Sequence, residues 1–340
     1  MNAHAPELHR DPSPEALPRA KRERVRPAIV AGGAVVLAGL AASALVNHRL
    51  ARRAERDHPP IGRFLRVEGV RLHVLERGPA DGDEAPLVLL HGNGAMIQDF
   101  LSSGLLDRAA ERRRVIAFDR PGYGHSERPR GRPWTPDAQA DLLAAALRQL
   151  GVERALVLGH SWGCLVAVAL AHRHPGLVGG LVLESGYYYP SVRLDVVPMS
   201  LPALPLLGDV LRHTVSPLLS RLMWPLLMRR MFGPAPVPPK FEGFPKELAV
   251  RPSQLRASAE ESALQVPAAF AARRRYAALR VPVALVAGEA DRMVATEAQS
   301  ARLHGEVASS TLERVPGTGH MVHQTATDAV LAAVARVRAV

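Results

Sequence analysis

The chain has 340 residues and a mass of 36.6 kDa, enough to bury a full core and the size of one large domain or one domain with an insertion. Its 47% hydrophobic and 22% charged residues, with a mean hydropathy of zero, exclude a disordered chain, a collagen-like repeat and a polytopic membrane protein. A single cysteine, Cys164, excludes an intramolecular disulfide framework and any Cys-built zinc or iron–sulfur site. The net charge of +11 is spread along the chain and aromatic residues make up only 4%, so no nucleic-acid partner is expected. Only Lys21, Lys240 and Lys246 among the 43 basic residues are lysines, an arginine bias typical of GC-rich bacterial coding.

Residues 1–27 are polar and proline-containing and end in Lys21, Arg22, Arg24 and Arg26, which predicts a disordered basic arm. Residues 28–46 carry no charge, and as a helix they would span roughly 28 Å, close to the thickness of a bilayer core. A single transmembrane anchor is the expectation, followed by a linker over 47–60. Two alternatives stand beside it. Ala42-Ser43-Ala44 fits the small-x-small pattern of a cleaved signal peptide, which would release a secreted protein, and a buried core helix would also be apolar. Six basic residues lie on the N-terminal flank (Arg10, Arg19, Lys21, Arg22, Arg24, Arg26) against four just beyond (Arg49, Arg52, Arg53, Arg56). This bias predicts a cytoplasmic N-terminus and an extracytoplasmic main domain.

After His58-Pro59-Pro60, short apolar runs alternate with helical periodicity, the pattern of a mostly parallel α/β sheet with helices on both faces. Residues 64–67 and 71–75 read as a starting hairpin, and residues 87–90, 115–118, 156–158, 181–183 and 283–286 as strands buried on both faces. Helices are clearest over 137–150 and 164–172. Residues 187–279 break the alternation and predict an inserted helical lid, dividing the core into 61–186 and 280–340. Within the lid, Pro217 and Pro225 are expected to interrupt any single long helix.

Gly159-His160-Ser161-Trp162-Gly163 stands between a strand and a helix, the setting of a nucleophile elbow. The glycines are needed because the serine must sit on a tight, strained turn. Elsewhere in the chain are His91-Gly92-Asn93-Gly94 after a strand, the run Asp119-Arg120-Pro121-Gly122-Tyr123-Gly124-His125-Ser126, Gly288-Glu289-Ala290-Asp291 closing a strand, and Gly317-Thr318-Gly319-His320. With these segments the chain resembles the α/β-hydrolase family, lidded serine hydrolases of the esterase and lipase kind, from about Phe64 onward.

The resemblance implies an α/β-hydrolase fold and a triad in the order Ser161, Asp291, His320. A serine hydroxyl is a weak nucleophile at neutral pH, so an imidazole must take its proton, and His320 is the implied base. Asp291 would fix the tautomer of that ring. The backbone N–H groups of Trp162 and Asn93 would form the oxyanion hole. His323 competes with His320 as the base but lacks the Gly-x-Gly entry, and Glu184, ending the strand over 181–183, is a possible alternative acid. Asp119 reads as a turn-former, His91, His125 and His160 as histidines that satisfy backbone groups or line the site, and Cys164 as a small buried hydrophobe.

Relatives that open epoxides or displace halide use an aspartate at the nucleophile position, where this chain has Ser161. Acyl transfer from an ester, thioester or amide is therefore expected. The segment Leu211–Phe232 mixes leucines with Arg212, Arg221, Arg229 and Arg230, which suits a hydrophobic ester, including a membrane-borne one. The same triad also serves thioesterases, carbon–carbon bond hydrolases, aminopeptidases and perhydrolases. From a different class comes a non-catalytic, membrane-tethered binding protein on the same fold. No cofactor or metal is implied. The expected partners are a small-molecule or lipid ester and, through residues 28–46, a membrane.

Overall fold

A computed structural model describes residues 19–80 and 84–337, with side chains in the first helix described from Val30 onward. Residues 1–18 of the expected basic arm lie outside it. Thirteen α-helices and eight strands follow in chain order among the described residues. Helix α1 (Arg19–Asp57) leads into the hairpin β1 (Arg63–Val67) and β2 (Val70–Arg77), then β3 (Leu87–Leu90), α2 (Ile97–Ser103), α3 (Leu105–Ala110) and β4 (Val115–Phe118). Next come α4 (Pro136–Gln149), β5 (Ala155–His160), α5 (Trp162–Arg173) and β6 (Val178–Glu184). The insertion contributes α6 (Val196–Ser200), α7 (Leu207–His213), α8 (Val215–Phe232), α9 (Lys246–Ala249) and α10 (Pro252–Ala272). The chain closes with β7 (Val283–Gly288), α11 (Arg302–Glu306), β8 (Ser310–Val315), α12 (Val322–Thr325) and α13 (Thr327–Arg336).

The sheet runs β1-β2-β4-β3-β5-β6-β7-β8, antiparallel at the hairpin and where β2 meets β4 and parallel from β4 to β8. Glu68 and Gly69 both take positive φ, 47° and 79°, the primed turn geometry that matches strand twist in a two-residue hairpin. Strands β3 to β7 are buried throughout, and their side chains alternate between two cores. Val88, Leu90 and Val157 pack with α4 and α5, whereas Leu87, Leu89 and Leu158 pack with α2, α3 and α13. Helices thus cover both faces, and the parallel strands all point their carboxyl ends toward one edge of the molecule.

The insertion sits over that edge. Phe232, Phe241 and Phe244 cluster with Met96, from the loop after β3, and Met321, from the loop after β8. Ala54 of α1 joins the same cluster, so the C-terminal half of α1 belongs to the folded body.

Several local readings change. Residues 47–57, expected as linker, continue α1 as helix, because Ala, Arg and Glu favour helix and the first break comes at Pro59, which bars α geometry at His58. The same helix takes in residues 19–27 of the expected disordered arm. In α8, Pro217 falls in the first turn, where its missing N–H has no intrahelical acceptor, and the helix runs on through Pro225. Strand β8 gave no apolar run because it is a half-exposed edge strand. Residues 30–42 are almost wholly exposed, which removes the core-helix reading. By length and composition Val30–Asp57 is the one helix, among the described residues, able to cross a membrane.

Candidate active site

Ser161 follows β5 directly and caps α5 with φ 53° and ψ −116°, a strained conformation for a side chain other than glycine. The flanking glycines allow it. A Cβ on Gly159 would lie 2.5 Å from the Gly163 carbonyl oxygen, and one on Gly163 would run into the Leu90 carbonyl. The loop His91–Gly94 packs on this turn, with a Cβ at Gly92 placed 3.1 Å from the Ser161 Cβ. Trp162 is the first residue of α5, so its N–H has no intrahelical acceptor.

Asp291 and His320 arrive from the ends of β7 and β8, beyond β6 in the sheet. The Asp291 Oδ1 accepts from the Met293 and Val294 N–H groups at 2.7 and 2.9 Å, which leaves Oδ2 to meet His320 Nδ1 at 2.7 Å. Burial alone would raise the Asp291 pKa. The charge and hydrogen bond of His320, with the two backbone N–H groups, outweigh burial and hold it below the ordinary carboxylate value. His320 is fixed by its own N–H, which donates to the Met231 carbonyl at 2.8 Å, and by Gly319, where any Cβ would strike the Met231–Gly233 backbone. The C-terminal turn of α8 therefore sets the position of His320. The His160 ring, next to Ser161 in the chain, packs 5.0 Å from the His320 ring.

The side chains of Glu184 and His323, the rivals for acid and base, are joined to each other, and Glu184 meets Ser161 only through its backbone carbonyl, which accepts the Ser161 N–H at 2.9 Å. His323 is fully buried, with Nδ1 2.7 Å from Glu184 and Nε2 3.1 Å from Asp99. Burial would strip its proton, but the two carboxylates overcome burial and raise its pKa to about 10. Asp99, despite burial, is held down to about 2 by His323 and by the Gln324 amide. His160, 4.7 Å away ring to ring, is lowered to about 4 by burial and stays neutral. Asp99, His160 and His323 bring potential ligand atoms within 4.8 Å of one another, a cluster that spacing along the chain did not reveal.

A third buried network holds the His91–Gly94 loop. Arg120 donates to the carbonyls of His91 and Gly92 at 2.8 and 3.0 Å and pairs with Glu261 of α10 at 2.5 Å. Glu261 also accepts from Tyr123 and Gln139. The Asn93 side chain is tethered to α10, donating to the Ser258 carbonyl and accepting from the Ser258 and Tyr123 hydroxyls, so only its backbone is free to face a ligand. His91 is lowered to about 3 by burial and by Arg120, so its Nε2 accepts from the Arg120 N–H. Asp119 does more than turn the chain: it accepts from Ile97 and His125 N–H groups and contacts His73 at 2.6 Å, tying three segments together. His125 reaches the His58 carbonyl, and the buried Cys164 thiol donates to the Gly159 carbonyl at 3.0 Å. Sequence reasoning passed over Arg120, Glu261 and Asp99. Arg120 lies inside a recognised motif, whereas Glu261 and Asp99 carry no local signal.

Comparison with known proteins agrees with this architecture. Over 148 residues the chain is 35% identical to 2-hydroxymuconate semialdehyde hydrolase of Pseudomonas sp. (strain CF600), spanning 42% of this chain and about half, 51%, of that relative's length. It is 25% identical to haloalkane dehalogenase 2 of Mycobacterium bovis over 277 residues, 78% of this chain and 90% of the relative. Among solved structures, a membrane phospholipase A described as a bacterial virulence factor superposes with a TM-score of 0.62 at 22% identity, covering 94% of this chain and 99% of the other, a likeness of fold. Residues 85–327 match the alpha/beta hydrolase fold family, and the chain belongs to that family.

Proposed function

We propose that the protein is a serine hydrolase that cleaves a hydrophobic carboxylic ester through an acyl-enzyme formed on Ser161. The observation that carries this reading is the Asp291–His320 pair at the same sheet edge as the strained Ser161 turn. In this mechanism His320 Nε2 takes the Ser161 hydroxyl proton as Oγ attacks the ester carbonyl carbon. Asp291 keeps the Nδ1 proton in place and stabilises the imidazolium. The carbonyl oxygen gains charge beside the N–H groups of Trp162 and Asn93, each donor contributing about 3 kcal/mol to the barrier reduction. Collapse breaks the ester C–O bond, and His320 passes its proton to the departing alcohol. Water then attacks the acyl group with His320 again as base, releasing the acid and restoring Ser161.

The anchor belongs to the same proposal. Ser43, within the signal-peptidase-like Ala42-Ser43-Ala44, lies mid-helix with its hydroxyl bonded to the Thr214 carbonyl at 2.8 Å, which supports a retained helix over a cleaved one. With the N-terminus in the cytoplasm, the hydrolase domain lies outside. A reporter fused at the C-terminus that is active only in the cytoplasm would overturn that orientation.

A second reading, carbon–carbon bond hydrolysis, is favoured by the 35% identity to the 2-hydroxymuconate semialdehyde hydrolase. The full-length protein assayed on p-nitrophenyl esters of increasing acyl length and on 2-hydroxymuconate semialdehyde separates the two. Ester turnover that rises from short to medium chains supports the first reading. Turnover of the semialdehyde with negligible esterase activity replaces it with the second.

A further inference from the structure

The insertion leaves a large apolar surface uncovered. Along α8, Leu218, Leu222 and Leu226 recur at four-residue spacing and form one exposed stripe, Leu222 at 73% exposure. Leu206 at 82% exposure, just before α7, Val210 of α7 and Val197 of α6 are further exposed apolar residues of the same insertion. Monomeric soluble proteins keep such contiguous patches small, so a face of this extent calls for an occupant.

The occupant is identified by where the face begins. Helix α1 divides at Ser43: residues 30–42 are bare and apolar, and residues beyond dock on the insertion. The docking point is Thr214, the residue between α7 and α8, whose carbonyl accepts from Ser43 and from Asn47, at 2.8 and 2.9 Å, while the neighbouring His213 carbonyl accepts from Asn47 at 3.0 Å. Arg221 of α8 closes the joint on the Asn47 side chain at 2.8 Å. The exposed stripes of α7 and α8 thus start at the spot where α1 emerges as a naked apolar helix, and Leu218 stands only about 6 Å along the helix from Thr214. Exposed arginines lie on both sides of the joint, Arg49 on α1 and Arg229 and Arg230 at the far end of α8. Apolar side chains flanked by arginine suit the headgroup–acyl boundary of an anionic leaflet.

We propose that the outer face of α7 and α8 is immersed in the phospholipid leaflet from which α1 emerges, so that the insertion is a second membrane contact of the protein. Since the last turn of α8 also holds His320, the helix that meets lipid is the helix that sets the histidine.

The test uses the full-length protein reconstituted into phosphatidylethanolamine–phosphatidylglycerol vesicles. Leu206→Cys, Leu222→Cys and, at the opposite end of the sheet, Glu153→Cys are labelled singly with an environment-sensitive fluorophore, the native Cys164 being fully buried. Expected are blue-shifted emission at positions 206 and 222 and quenching there by lipids spin-labelled near the top of the acyl chain, about twofold or more beyond that at position 153. Equal quenching at all three positions overturns the proposal. So does protection of 206 and 222 from aqueous iodide without lipid quenching, which would mean a second copy of the chain covers the face. The readout is lipid contact, not turnover, and stands apart from the ester reading.

Discussion

Two of the buried acid–histidine pairs share a 2.7 Å separation, and their surroundings give them different chemistry. His320 meets one carboxylate, Asp291, whose other oxygen is occupied by backbone N–H groups, and its second ring nitrogen remains for proton transfer. His323 is gripped on both ring nitrogens, by Glu184 and Asp99, and is fixed as a cation. One carboxylate orients a base; two on opposite sides convert a histidine into a structural ion. This difference is why the proposed mechanism uses Asp291 and His320 and leaves Glu184 and His323, triad members by position alone, out of it.

The sharpest way to break this contrast is to remove each acid in turn. Asp291→Asn is expected to lower kcat by about ten-thousandfold, because the amide favours the wrong tautomer of His320, and Glu184→Gln by less than about tenfold. Steady-state kinetics on a p-nitrophenyl ester decide it, and an equal loss from Glu184→Gln would erase the distinction.

Stability should show the opposite ranking. His323→Leu leaves Asp99 and Glu184 buried without their cation and is expected to cost about 3 to 5 kcal/mol, whereas His320→Gln at the cleft should cost less than about 1 kcal/mol. Denaturant unfolding in detergent provides the comparison.

The pH profile of stability sharpens it further. His323 has its pKa raised from the ordinary 6.5 to about 10, so its contribution is complete below pH 6.5 and is lost as pH climbs toward 10. Asp99 and Glu184 are lowered, so theirs is complete above the ordinary carboxylate range and is lost as pH falls, for Asp99 toward 2. His91 and His160, lowered from 6.5 to about 3 and about 4, add to the acid-side loss as pH falls below 6.5, so the melting temperature should peak at about pH 6.5 and decline on both sides, and His323→Leu should shrink the alkaline decline. The smallest effect concerns Cys164. Burial pushes its thiol up, away from the reactive thiolate, so iodoacetamide at neutral pH should leave activity unchanged.

How much of this was legible in the sequence follows from the range of the interactions. Strands β3 to β7 announce themselves because burial on both faces demands unbroken Val, Leu and Ile. The half-exposed edge strand β8 does not. Ser161, Asp291 and His320 sit in short segments whose glycines are required by close backbone approach, so their motifs can be read in one dimension even where the backbone they meet is distant in the chain. Glu184 and His323 meet across 139 residues, and Arg120 and Glu261 across 141. Nothing near any of the four in the chain specifies its partner. The extension of α1 to Asp57 was hidden because charged residues that cover a docked helix look, as a string, like those of a solvated linker.

The central claim, that Ser161 is an activated nucleophile, is tested most directly by treating the full-length protein with a fluorophosphonate probe and mapping the modified peptide. Labelling confined to Ser161, and absent in Ser161→Ala, is the predicted result. Labelling at another residue, or no labelling of the folded protein, would contradict it.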